Sequence, residues 1–163
     1  MELPRDPDVR VHYARQLHEL PRDPDVDLHD ARQRRELHPD VLIAIAIGGA
    51  LGALARYGIG LALPSGPTGF PWATFWVNVS GCFLIGILMV FVTDVWTRQR
   101  LARPFLGVGV LGGYTTFSTY VVDIQRLVNH GAAGIALLYL GGTLFAAVLA
   151  TATGIGLARR VVR

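Results

Sequence analysis

The chain is 163 residues long, a one-domain length, and its 52% hydrophobic and 17% charged content departs from an ordinary soluble domain. Charge is split along it: residues 1–40 hold 7 arginines against 10 acids, net −3, while residues 41–163 hold 8 arginines against Asp94 and Asp123 alone, net +6. The absence of lysine excludes a phosphate-loop NTPase lysine and a Schiff-base lysine, and the single Cys82 excludes an intrachain disulfide and a thiolate metal cluster.

Residues 1–40 are polar throughout and lack the basic-then-apolar order of a signal peptide. Leu3-Pro4-Arg5-Asp6-Pro7-Asp8-Val9 recurs as Leu20-Pro21-Arg22-Asp23-Pro24-Asp25-Val26, a tandem repeat of period 17. Two copies are too few for a solenoid. The composition predicts a largely disordered extension with some helix at 10–19 and 27–37.

From residue 41 onward the chain is a membrane sequence. A spanning helix needs about 20 mostly apolar residues. The apolar runs, nearly free of charge, accommodate four, at about 41–63, 72–93, 104–127 and 132–157. Pro64-Ser65-Gly66-Pro67-Thr68-Gly69 makes the first turn, Arg98, Arg100, Arg103 and Pro104 the second, and Asn129-His130-Gly131 the third. The arginines border these runs rather than forming a patch interleaved with exposed aromatics, which argues against nucleic acid. Four spans put both termini and the 94–103 loop on one side with nearly all the arginines, against Arg126 opposite. The positive-inside rule therefore predicts cytoplasmic termini.

Small-residue ladders, Gly48-x3-Gly52, Gly109-x3-Gly113 and Gly142, Ala146, Ala150, Gly154, allow close backbone approach. They serve either intrachain packing or dimerisation. Polar groups at membrane depth must carry the chemistry, because unpaired ones are costly there. Arg56 near the end of span 1 either snorkels to the interface or faces the interior. Thr74 and Asn78 share a face of span 2 with Ser80 nearby, and a mid-span asparagine is either interhelical glue or a ligand.

Span 3 contains Gly112-Gly113-Tyr114-Thr115-Thr116-Phe117-Ser118-Thr119-Tyr120, a poor regular lipid helix that reads as a break at mid-membrane. Non-helical backbone is tolerated at depth only when buried in protein or lining a polar cavity. Freed carbonyls suit a hard monovalent cation, and the hydroxyls of Ser118 and Thr119 can donate to an anion. Phe117 and Tyr120 share a face; they either pack ordinarily or turn positive ring edges to an anion.

Three segments, Gly-Gly-Ala-Leu-Gly-Ala-Leu-Ala-Arg-Tyr at 48–57, Thr-Phe-Trp-Val-Asn-Val-Ser-Gly at 74–81 and Gly-Gly-Tyr-Thr-Thr-Phe-Ser-Thr-Tyr at 112–120, resemble the CrcB/Fluc fluoride channels. The resemblance covers about 41–160. It implies an all-α integral membrane protein of the cell membrane, not an enzyme. Four-helix subunits with a broken third helix would pair antiparallel, in dual topology, to form two fluoride pores around a structural sodium ion. The resemblance implies that backbone carbonyls of Gly112 and Thr115 hold sodium. It implies that Asn78, Phe117, Ser118, Thr119 and Tyr120 line the fluoride path, with Tyr139 and Thr143 on the polar face of span 4; Arg56 and Thr74 belong to the vestibule or the framework. Tyr120 stands where the family usually has phenylalanine, and the forty-residue tail is outside the family core.

An antiparallel homodimer needs insertion both ways, whereas the arginine bias favours one. The expectation is therefore a heterodimer with a partner of opposite bias, the homodimer remaining the other form. Fluoride would leave passively, driven by the negative-inside potential. A small four-helix multidrug/proton exchanger is the rival; it needs an ionisable group in its path, most simply a carboxylate at membrane depth, whereas spans 1 and 4 have none, Asp94 is at a helix end and Asp123 is near one. Cys82 has no histidine near it in sequence and His130 stands alone, which leaves a membrane-embedded enzyme without a catalytic set.

Overall fold

The computed structural model describes residues 38–96 and 99–162. The tandem repeat, the helices expected at 10–19 and 27–37, Arg98 and Arg163 lie outside the described residues. Every regular element among those described is helical. Helix α1 spans Pro39–Ala62, α2 Trp72–Val90, α3 Gly112–Tyr114, α4 Phe117–Asn129 and α5 Ala133–Val162. A π-helical turn, Phe91–Val95, continues α2, and a longer π-helical segment, Arg103–Leu111, leads into α3. Four stretches are long and apolar enough to cross a membrane: Pro39–Ala62, Trp72–Val95, Arg103–Asn129 and Ala133–Val162.

Local chemistry sets the ends of these helices. Pro39 opens α1, where its missing N–H costs nothing, and Asp40 places negative charge at the helix N-terminus, with Oδ1 accepting from Val41 N at 2.8 Å. Asp40 also pairs with Arg100 of the 2–3 connection. Thr116 caps α4, its Oγ1 accepting from Thr119 N at 3.2 Å. At the other end Gly131 adopts φ 75°, a left-handed conformation that favours glycine. Gly131 N then bonds to Val128 O at 3.0 Å and Ala132 N to Leu127 O at 2.8 Å, the two bonds of a Schellman closure. Helix α5 runs on through Arg159 and Arg160, beyond the apolar stretch. Arginine is a good helix former and its charge complements the C-terminal dipole.

Two close helix pairings build the bundle. Helix α1 packs on the Arg103–Leu111 segment and α3, and α2 packs on α5. In both, glycine lets backbone meet backbone. A Cβ on Gly48 would stand 2.5 Å from Phe105 O, and one on Gly113 2.3 Å from Gly49 O. On the other pair, a Cβ on Gly86 would stand 2.5 Å from Thr151 O and one on Gly154 2.3 Å from Phe83 O. The Gly48/Gly52 and Gly109/Gly113 ladders thus serve packing within the chain. Of the fourth-span ladder Gly154 does the same, whereas Gly142 has nothing within 4 Å.

The third span changes partner along its length: its first half lies on α1, and α4 lies on α5. Between the halves Thr115 (φ −75°, ψ 159°) and Thr116 (φ −152°, ψ 124°) are extended. Between α4 and α5, Leu127, Ala136 and Tyr139 form a buried cluster packed by Phe70, Phe75, Tyr120 and Ile124. Elsewhere large apolar side chains face outward, Phe117 at 78% and Leu137 at 71% exposure, as suits a surface meeting lipid or another subunit.

Candidate functional site

The extended pair Thr115–Thr116 redirects a whole turn of backbone hydrogen bonds. In a continuous α-helix Thr116 N–H would bond to the Gly112 carbonyl. It bonds instead to Asn78 Oδ1 at 2.9 Å, while Asn78 Nδ2 donates to Thr116 O at 2.9 Å. Thr119 N–H, the helical donor for the Thr115 carbonyl, goes to Thr116 Oγ1. The carbonyls of Gly112 and Thr115 therefore lose their i+4 donors, while the Gly113 carbonyl accepts from Arg56 Nε at 3.2 Å. The guanidinium of Arg56 reaches inward to the third span rather than to the interface.

Two cavities flank this turn. One, of about 360 Å³, is bounded by Asn78, Gly81, Cys82, Gly112, Thr115 and Phe117 among others. Asn78 commits one of its two amide hydrogens to Thr116 O. The other, about 100 Å³, is lined by Arg56, Thr74, Thr116 and Thr119 with Gly60, Ala73 and Val77. Of the three hydroxyls here Thr74 and Thr116 donate within the protein, which leaves the guanidinium of Arg56 and the Thr119 hydroxyl as the donors facing this space.

Hydroxyls concentrate on the α4 side of the turn. Thr116 Oγ1 lies 3.3 Å from Ser118 Oγ and donates to Thr119 Oγ1 at 3.1 Å. The Phe117 and Tyr120 rings are 6.0 Å apart with planes at 41°. Tyr120 also meets Tyr139 at 5.1 Å, and its hydroxyl donates to Leu140 O at 2.7 Å, tying α4 to α5. Tyr139 and Thr143 lie one turn apart on α5, buried, and among the described residues their hydroxyls have no partner at hydrogen-bond distance. Such groups are costly in an apolar medium.

Sequence reasoning passed over three participants. Thr116 lies inside the motif without an assigned role, yet it caps α4 and pairs with Asn78. Asp123 accepts from Thr74 Oγ1 at 2.8 Å, and Arg126 approaches Asp123 Oδ1 at 3.3 Å. The i, i+3 spacing of Asp123 and Arg126 was the available signal. The partner of Thr74, 49 residues distant, leaves none.

Residues 43–155 match the model of a family described as CrcB-like protein, Camphor Resistance (CrcB). The chain is 55% identical over 121 residues to the fluoride-specific ion channel FluC 2 of Nocardia farcinica, covering 74% of this chain and 86% of the relative. It is 58% identical over 104 residues to FluC 2 of Streptomyces avermitilis, 64% of this chain and 66% of that relative. With the fluoride-specific ion channel FluC of Rhodospirillum centenum it shares 44% over 124 residues, 75% of this chain and 98% of the relative. The matched residues include the redirected turn, both cavities and the buried hydroxyls of the fourth span.

Proposed function

Since the chain belongs to the CrcB-like family, a family of multi-pass membrane proteins, we propose that it is a fluoride channel that releases cytoplasmic fluoride down its electrochemical gradient and so limits fluoride toxicity. The observation that carries this reading is the redirected turn: it takes the i+4 donors away from the Gly112 and Thr115 carbonyls and ties Asn78 to a segment whose residues line both cavities. A small, strongly hydrated anion needs closely spaced donors to replace its water. Asn78, Ser118, Thr119, Tyr139 and Thr143 supply these donors. Phe117 and Tyr120 present ring edges, whose partial positive charge suits an anion. Arg56 and Thr74 line the entrance, where Arg56 supplies positive charge. No energy-coupling group takes part.

In this reading the turn is a break at mid-membrane, and two subunits pack antiparallel across the exposed Phe117 face. The Gly112 and Thr115 carbonyls of both subunits fit a sodium ion, since hard oxygen donors released from helical bonding suit a hard monovalent cation. Bound there, the ion supplies positive charge that holds the broken segments together. Both termini lie in the cytoplasm in the majority orientation, and the arginine bias supports a partner of opposite bias over a homodimer.

The test is fluoride-electrode efflux from liposomes holding the purified chain, with valinomycin clamping the voltage and chloride as the comparison anion. Release of fluoride without chloride is expected. A folded protein silent alone and with a partner of opposite arginine bias refutes the reading.

A further inference from the structure

The proposed path has a carboxylate beside it. Asp123 accepts a hydrogen bond from Thr74, one of the residues lining the smaller cavity, and lies within electrostatic reach of Tyr139. With a side chain only 16% exposed, an ionised Asp123 left alone opposes any anion moving past Thr74 and Tyr139. Arg126 answers this charge from one turn further along α4. Its Nη2 stands 3.3 Å from Asp123 Oδ1. The guanidinium is itself gripped by the turn between α1 and α2: Nη1 donates to Gly66 O at 3.0 Å and Ser65 O at 3.4 Å, and Nη2 to Ser65 Oγ at 3.4 Å. Its Nε is buried, so it does not swing free like an arginine at a rim.

We propose that Arg126 is a positioning residue for anion passage: it neutralises Asp123 and fixes that carboxylate as the acceptor of the Thr74 hydroxyl, while the Ser65–Gly66 turn holds the guanidinium in place. The inference rests on the fluoride-channel reading and extends it to two residues that line neither cavity. It differs from a clamp that merely secures the turn, because the harm done by removing Arg126 comes from the carboxylate left behind.

Fluoride efflux from liposomes holding the full chain separates these roles. R126Q is expected to slow release by about tenfold, and R126Q/D123N to recover at least about a third of the wild-type rate, because an uncompensated charge is the cause. R126K, which keeps the charge but loses the bonds to Ser65 and Gly66, is expected to retain about a third or more. A double variant as slow as R126Q, or a folded R126K without flux, overturns the inference even where R126Q itself fails to fold. Wild-type liposomes that release no fluoride overturn the channel reading and this inference with it; wild-type release without rescue overturns this inference alone.

Discussion

Gly52→Ala is the most direct probe of how the turn is held. A Cβ there would stand 2.1 Å from Val110 O and 2.7 Å from Tyr114 N, both backbone atoms that cannot step aside like a flexible side chain. Ordinary contact begins at 3.4 Å, so α1 must retreat by about 1.3 Å. Overpacking of this kind costs about 1–3 kcal/mol. The retreat also stretches the 3.2 Å bond from Arg56 Nε to Gly113 O past any useful length. Losing a hydrogen bond from a charged donor adds about 1.5–3 kcal/mol. Alanine returns about 0.5–1 kcal/mol through helix propensity, leaving a net loss of roughly 2–5 kcal/mol. Gly58 supplies the control on the same helix: nothing lies within 4 Å of its Cβ position, so Gly58→Ala keeps only the propensity gain. Unfolding in mixed dodecyl maltoside and SDS micelles, followed by tryptophan fluorescence, measures both. A Gly52→Ala midpoint equal to that of Gly58→Ala refutes the close approach of α1 to the third span.

Asn78→Leu removes both bonds to Thr116 and leaves a backbone N–H and a C=O unpaired, at about 1–3 kcal/mol each; the same unfolding assay is expected to show the loss, and efflux to cease. Tyr120→Phe gives up only the bond to Leu140 O, a loss of about 0.5–1.5 kcal/mol, and keeps the ring; selective fluoride efflux is expected to persist, and its disappearance from folded protein counts against a ring-edge role. Replacing sodium by N-methyl-D-glucamine during purification is expected to lower the thermal midpoint, with sodium restoring it. An unchanged midpoint argues against a cation on the Gly112 and Thr115 carbonyls.

The four stretches able to cross a membrane are legible in the amino-acid sequence, because length and apolarity along a single helix are local properties that no tertiary contact is needed to read. The sequence also marked the segment around Gly112–Tyr120 as unlike a lipid helix, since paired glycines followed by hydroxyls depart from lipid-helix composition wherever they occur. Tertiary structure alone decided where the redirected bonds go. Thr116 meets Asn78 across 38 residues, Thr74 meets Asp123 across 49 and Arg56 meets Gly113 across 57. Such pairs leave no periodicity along the chain. The glycine ladders show the same division: their small size is plain in sequence, but Gly52 serves α1 against the third span while a Cβ on Gly142 would meet nothing within 4 Å, because helix rotation, set by packing of the whole bundle, chooses which face is buried.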